Sequence, residues 1–352
     1  MNQSFKPAPI AFFCFNRADK TKEVLEALAK NDLAAESEIF IFCDGPRNIK
    51  DLPALKEVHQ VIDEISGFKT KHILKKELNH GIKNSITSGI RAVLENSENI
   101  IVVEDDILTA KNFLRFINEG LQFYKNSPQV WCVAGFNYPS KIIEYPKNYS
   151  ADIFFAKGRN CAWGWGTWKD RWQKIDFEVR DYAEFVKDKN LMKEFNKPGS
   201  NMAEMLKFQM QKKIDTWDIQ MSYSMFKNNA YTLHPLKTLV KNIGFDNSGT
   251  HTTSDLDLTG FDFENFSDFK LKKLEEIPDN DVAQNAFFKF HQDPNFLVRW
   301  ARSKKKKRNL KWFLLGVLVC ELINILFSMA STKDRETYFK TSIQQFKTNY
   351  KS

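Results

Sequence analysis

Short apolar runs alternate with longer amphipathic ones through the first 135 residues. The runs Ile10–Phe15, Ile39–Cys43, His72–Lys75, Ile100–Val103 and Val130–Ala134 have strand length and read as strands. Between them, Lys20–Lys30 places Val24, Leu25 and Leu28 on one face. Pro53–Ile65, Lys83–Leu94 and Asn112–Tyr124 repeat the i, i+3, i+4 spacing, which predicts helices. Alternating strands and helices make βαβ units, so the expected fold is α/β, with a Rossmann-like, mostly parallel sheet flanked by helices.

Each of the first four strands runs into a polar signature: Asn16-Arg17, Asp44-Gly45, Asn79-His80-Gly81 and Glu104-Asp105-Asp106. Ligands of open α/β sheets bind beyond the carboxyl ends of the strands, so these residues are expected around one crevice. The polarity of loops in general explains any one of them taken alone. A dinucleotide cradle is excluded, because residues 15–20, FNRADK, lack its glycines, and there is no Walker lysine. Three adjacent carboxylates repel one another unless a cation or hydrogen-bond donors sit among them. Alternation along an extended chain would put Glu104 and Asp106 on one side and Asp105 on the other. Hard oxygen ligands at a strand end suit Mg²⁺ or Mn²⁺, which keeps several waters and takes one or two carboxylates plus substrate phosphates. The same triplet also reads as a solvated acidic turn ahead of the helix at Asn112.

Composition narrows the class. A chain of 352 residues with 42% hydrophobic, 27% charged and 14% aromatic residues is globular and of enzyme size. Cysteines at 14, 43, 132, 161 and 320 form no CxxC pair, which argues against a disulfide framework or zinc finger and points to a reducing compartment. No segment near the start reads as a signal peptide. Lys plus Arg (52) exceeds Asp plus Glu (44) by eight, and Arg299–Trp312 alone carries eight basic residues with no acidic one. Charge confined to one run beside an apolar stretch speaks for a membrane surface and against nucleic acid.

Several ordered motifs carry a resemblance. VVEDDI (Val102–Ile107) is followed by a helix and PQVWCVAGFN (Pro128–Asn137), and preceded by FNR at Phe15 and CDG at Cys43. Further on come CAWGWGTWKDRW (Cys161–Trp172), TWDIQM (Thr216–Met221) and NIGFDNSGTH (Asn242–His251). From about residue 8 to 255 the chain resembles the N-acetylglucosaminyltransferase I group of GT-A fold glycosyltransferases and their bacterial relatives. The resemblance implies inverting transfer of a hexosyl or N-acetylhexosaminyl group from a nucleotide diphosphate donor to a glycan or lipid-linked acceptor, with Mn²⁺ or Mg²⁺ as cofactor. It implies that Asp106 binds the metal, that Glu104 and Asp105 hold the nucleoside sugar, and that Asn16 and Arg17 lie at the base. Asp44 matches an aspartate that reads uracil, which points to a UDP-sugar. Asp218 matches the general base of W-D-x-x-M, although it reads equally well as a helix-initiating aspartate, and Asp215 stands three residues before it. His251 falls where many GT-A enzymes place a histidine on the metal. Aromatic faces stack on sugar rings, so Trp163 and Trp165, interleaved with glycines, are donor-binding candidates, whereas Trp168 and Trp172, spaced i, i+4, read as core. His80 reads as a loop residue near the donor. Rival classes are a sugar-phosphate nucleotidyltransferase, whose glycine-rich basic turn is absent, and an inactive glycan-binding relative.

The expected division is a glycosyltransferase domain over 1–265 and a helical, basic and amphipathic appendage over 266–352. Trp312–Ala330 has fifteen hydrophobic residues among nineteen, with Glu321, Asn324 and Ser328 on one stripe. A helix lying in the membrane interface beside Lys304–Arg308 fits this pattern, and a helix docked on protein is its rival. The expectation is a cytoplasmic enzyme, peripheral on the inner face of the membrane and active in bacterial surface-glycan synthesis. Each basic residue near an anionic surface contributes about 1 kcal/mol, screened by salt. Replacing Lys304–Lys307 by Gln should therefore weaken sedimentation with anionic liposomes, and the deficit should shrink as salt rises.

Overall fold

The structure, a computed structural model, describes residues 6–139, 142–145, 149, 151–244, 269–277 and 281–292. The basic run and the apolar helix expected at Trp312–Ala330 lie outside them. The first half alternates as the hydrophobic pattern predicts: β1 (Ile10–Cys14), α1 (Ala18–Ala29), β2 (Glu38–Cys43), α2 (Leu52–Glu64), β3 (Thr70–Lys75), α3 (Gly81–Leu94) and β4 (Asn99–Glu104). There follow β5 (Ile107–Thr109), α4 (Phe113–Phe123), β6 (Val130–Ala134), β7 (Ile153–Lys157) and β8 (Trp165–Trp168). Helices α5 (Lys169–Trp172), α6 (Tyr182–Phe185), α7 (Lys189–Phe195), α8 (Met202–Met210) and α9 (Asp218–Lys227) come next. The described chain ends with β9 (Tyr231–Pro235), β10 (Val240–Asn242) and α10 (Val282–Gln292).

Eight strands form one sheet in the order β3-β2-β1-β4-β8-β6-β9-β7. Four of its seven pairings are parallel, and β8 and β7 supply the antiparallel ones. The sheet is thus mostly parallel, as expected. Every residue of β1 is buried, which an all-apolar strand requires when helices cover both faces. On one face Ile10, Phe12 and Cys14 pack with Val24 and Leu28 of α1, Val58 of α2 and Phe113 of α4. On the other, Ala11 and Phe13 pack with Ile86 and Ile90 of α3 and Met221 of α9. The winding changes direction between β1 and β4, making that gap the topological switch point.

Strand β8 slides antiparallel between β4 and β6, and Gly166 explains how it fits. A Cβ there would stand 2.6 Å from Ile117 Cγ2 and 3.2 Å from the Ile100 carbonyl. Part of the stretch beyond 265 packs on the same body: Ala283 and Phe287 of α10 join Phe154 of β7 in one cluster, and the Tyr124 hydroxyl donates to the Lys272 carbonyl at 2.6 Å.

His234 in β9 is buried, stacked on Phe154 at 5.1 Å, with Nδ1 2.9 Å from the Phe136 carbonyl. Burial, assisted by the charge of Arg159, lowers its pKa from 6.5 to about 4. The unfolded chain therefore takes up a proton near pH 6.5 that the folded chain resists until about pH 4, so stability falls as pH drops through that window. His234→Phe should lose less stability between pH 7 and pH 4 in urea unfolding, by on the order of 3 kcal/mol.

Candidate active site

The site forms where β1 and β4 end side by side. Arg17 sits between β1 and α1, and its guanidinium crosses the gap: Nη2 donates to Asp105 Oδ1 and, at 3.1 Å, to Asp106 Oδ2. The alternation expected for the triplet does not hold. Strand β4 ends at Glu104, and Asp105 and Asp106 form the turn before β5, which brings both to one guanidinium nitrogen. The turn is clamped from behind, because β5 pairs with β10 and the Ile243 amide donates to the Asp106 carbonyl at 2.8 Å. Gly244 lies so close that a Cβ would stand 2.5 Å from Asp106 Oδ2.

Electrostatics follow from this crowding. Burial raises the Asp105 pKa to about 6, with Asp106 adding to the rise and Arg17 opposing it. Burial and the charges of Asp106, Asp105 and Asp218 push Glu104 well above the usual carboxylate range. Burial works against the Arg17 charge, but the two aspartates prevail and hold its pKa above the ordinary arginine value. Two buried atoms in this knot, Arg17 Nη1 and Asp105 Oδ2, have no hydrogen-bond partner among the described residues. One is a donor and the other an acceptor, and both need a ligand or water.

Asp44, after β2, accepts from the His80 amide at 3.0 Å, the Gly81 amide at 3.2 Å and the Gly45 amide at 3.1 Å. Its carboxylate ties the end of β2 to the start of α3, and a uracil contact would share those oxygens with the loop amides. Asn16 donates to Asp51 at 3.3 Å, and Asp51 is gripped by Arg47 at 2.7 Å. Hydrogen bonds from Arg47 hold the Asp51 pKa below the usual range. Arg47 and Asp51 escaped the sequence reading because neither belongs to a strand-end signature.

Asp218 is the first residue of α9 and adds its charge to the first turn, but the N-cap position is Trp217, which makes no side-chain cap. Asp218 Oδ1 accepts from the Thr216 hydroxyl and the Ile219 amide, and its charge reaches Glu104. Asp215 stands apart, its Oδ2 2.8 Å from where a Gly81 Cβ would lie. Arg159, just past β7, is a further missed residue. It makes no ion pair among the described residues, burial lowers its pKa, and Asp218 is among the charges that oppose this. Its signal was a basic pair, Lys157 and Arg159, flanking Gly158 just ahead of the tryptophan-rich motif. Trp163 is half-buried, edge-on to Phe136 at 4.4 Å. Trp165 corrects the expectation of a donor-binding face. At 0% exposure it stacks on Trp217 at 5.2 Å inside the sheet–helix core, because every residue of β8 is buried. Trp168 and Trp172 are core residues, as expected. His251 lies outside the described residues.

Among the described residues no three His, Cys, Asp or Glu side chains form a metal cage. The residues nevertheless fit an ion of the Mg²⁺ or Mn²⁺ kind, which needs only one or two carboxylates when phosphates and waters complete its shell. Two aspartates share one arginine here, Glu104 feels the charges of both, and Asp105 presents an oxygen with no partner among the described residues.

No family model matches the chain, and no curated protein matches it. Among solved structures it is similar to the mannosyltransferase PcManGT from Pyrobaculum calidifontis, in complex with GDP-Man and Mn²⁺. The identity is 12% and the TM-score 0.32, over 52% of this chain and 47% of that one. It is also similar to an active-site mutant of LgtC, at 12% identity and TM-score 0.35, over 64% of this chain and 72% of that one. The chain spans about half the length of the mannosyltransferase. Likenesses of this strength carry no argument about activity or ligands.

Removing the guanidinium leaves two largely buried aspartates uncompensated. In EDTA, Arg17→Gln should lower the urea unfolding free energy by about 3 kcal/mol, with Arg17→Lys intermediate.

Proposed function

We propose that the chain is a metal-dependent GT-A glycosyltransferase that moves a sugar, with inversion, from a UDP-sugar to a hydroxyl of a glycan or lipid-linked acceptor. The observation that supports this best is the pair of unpartnered buried atoms at the switch point. Asp105 Oδ2, an acceptor, suits a ribose hydroxyl, and Arg17 Nη1, a donor, suits a carbonyl or phosphate oxygen of the nucleotide. Asn16 and Asp44 flank the same strand ends and belong to the base side. Asp106 is the residue that would hold the ion, which when bound neutralises the diphosphate leaving group.

Asp218 is the general base in this reading. Thr216 and the Ile219 amide fix its Oδ1, and Oδ2 is the oxygen that takes the acceptor proton. As the acceptor oxygen bonds to the anomeric carbon, its proton passes to Asp218 and the bond from that carbon to the diphosphate oxygen breaks. The biological setting we propose, the inner membrane face and surface-polysaccharide synthesis, rests on the C-terminal charge pattern alone.

Calorimetry with UDP, with and without Mn²⁺, tests the metal assignment. Asp106→Asn should weaken metal and UDP binding together, and UDP affinity indifferent to Mn²⁺ in the native chain would sink it. Asp218→Asn should keep UDP binding while turnover of the nucleotide sugar falls roughly a hundredfold or more, the usual scale for a lost general base. Asp215→Asn should be much milder.

A further inference from the structure

The three residues that follow β1 reach in two directions. Arg17 points toward β4 and grips its acidic turn. Phe15 and Asn16 meet the loop after β2: Asn16 donates to Asp51 at 3.3 Å, and the Arg47 guanidinium lies over the Phe15 ring, 4.9 Å from its centroid. Strands β2 and β4 flank β1, so the Arg47 loop and the acidic turn stand two strand spacings, roughly 10 Å, apart. A nucleoside diphosphate with its phosphates at the acidic turn bridges that distance and brings its base to Arg47.

Arg47 is fixed at one edge and open at one face. Its amide and Nε donate to Asp51 Oδ2 at 3.0 and 2.9 Å, and Nη2 donates to Oδ1 at 2.7 Å. The Asp51 side chain is 8% exposed, whereas that of Arg47 is 52% exposed. With one face on Phe15 and one edge on Asp51, this exposure belongs to the opposite face of the guanidinium and to Nη1. The polar groups nearby are spent on each other. Both Asp44 oxygens accept from the loop amides, and Asn16 Nδ2 is held by Asp51. What stays open is a planar cation, a group that stacks on aromatic faces. Leu78, 71% exposed, adds apolar surface to the same rim, its backbone 2.5 Å from where a Gly45 Cβ would lie.

We propose that Phe15 and Arg47 form a stacking platform for the nucleobase, with the guanidinium lying between the Phe15 ring and the base. The inference rests on the nucleotide-sugar reading of the crevice and adds what holds the base there. Asp51 fixes the guanidinium before the nucleotide arrives, so little side-chain freedom is lost on binding. Every base has a π-face, so the platform supplies affinity rather than a choice among bases.

The test is calorimetry of the full chain in Mn²⁺ with UDP, 5,6-dihydro-UDP and pyrophosphate. The dihydro base keeps both carbonyls and the ring N–H but loses the planar π-system, so the comparison isolates stacking. The native chain should bind UDP about tenfold more tightly than 5,6-dihydro-UDP, within the range of one stacked base. Arg47→Gln should weaken UDP about tenfold, leave 5,6-dihydro-UDP and pyrophosphate nearly unchanged, and so erase the preference. Because Arg47→Gln strands a shielded carboxylate, the double variant Arg47→Gln/Asp51→Asn is measured beside it and should behave alike. If Arg47 only holds its loop, both nucleotides weaken together and the preference survives, which overturns the platform. Equal binding of UDP and 5,6-dihydro-UDP by the native chain overturns it too. GDP is titrated in parallel. GDP binding that Arg47→Gln weakens, without UDP binding, keeps the platform and removes the uracil assignment, whereas binding of neither nucleotide removes the donor reading and the platform with it.

Discussion

Three carboxylates at the end of a buried strand cannot coexist without compensation, and Arg17 supplies it. Its guanidinium joins the end of β1 to the end of β4 across the one gap where the sheet changes its direction of winding. The pairing of β1 with β4 is set by hydrophobic burial along both strands, but the polar ends would repel without this cation. Because Arg17 directly precedes α1, the same residue fixes where the first helix leaves the sheet. Fold and candidate site therefore share a constraint.

The second half of the chain encloses that pair. Strand β8 enters beside β4 only because Gly166 leaves room for Ile117, and the β5–β10 ribbon seats Gly244 against Asp106. Trp165 and Trp217 stack beneath, anchoring the start of α9 and hence Asp218. A tryptophan-rich, glycine-spaced motif thus serves the site by packing under it, with Trp163 alone left half-buried above the core.

The first half of the fold was legible because its strands are continuous apolar runs and its helices carry clean one-sided spacing. The four strand-end signatures were legible for the same reason, since knowing where a strand stops tells which residues reach the crevice. What was not legible depends on pairing across long separations. The antiparallel insertion of β8 puts Trp165 in the core, and no local pattern distinguishes it from Trp163. Arg47 and Asp51 act through a hydrogen bond to Asn16 that only the folded loop creates. Alternation failed at Asp105 because β4 stops at Glu104, two residues before the acidic run does.

The charge balance has a consequence for how a nucleotide sugar would bind. Arg17 already shares Nη2 between Asp105 and Asp106, so a diphosphate arriving alone would meet these carboxylates with only Nη1 of that guanidinium left to offer. Protonation relieves part of this, since burial lifts Glu104 and Asp105 toward their neutral forms. It does not supply positive charge. A divalent ion does, and each of the two ligands then lowers the electrostatic cost of the other. By linkage, the factor by which the ion tightens nucleotide binding equals the factor by which the nucleotide tightens the ion. On the proposed reading the ion and the diphosphate form one binding unit, and the acidic turn after β4 is weakly suited to either one alone.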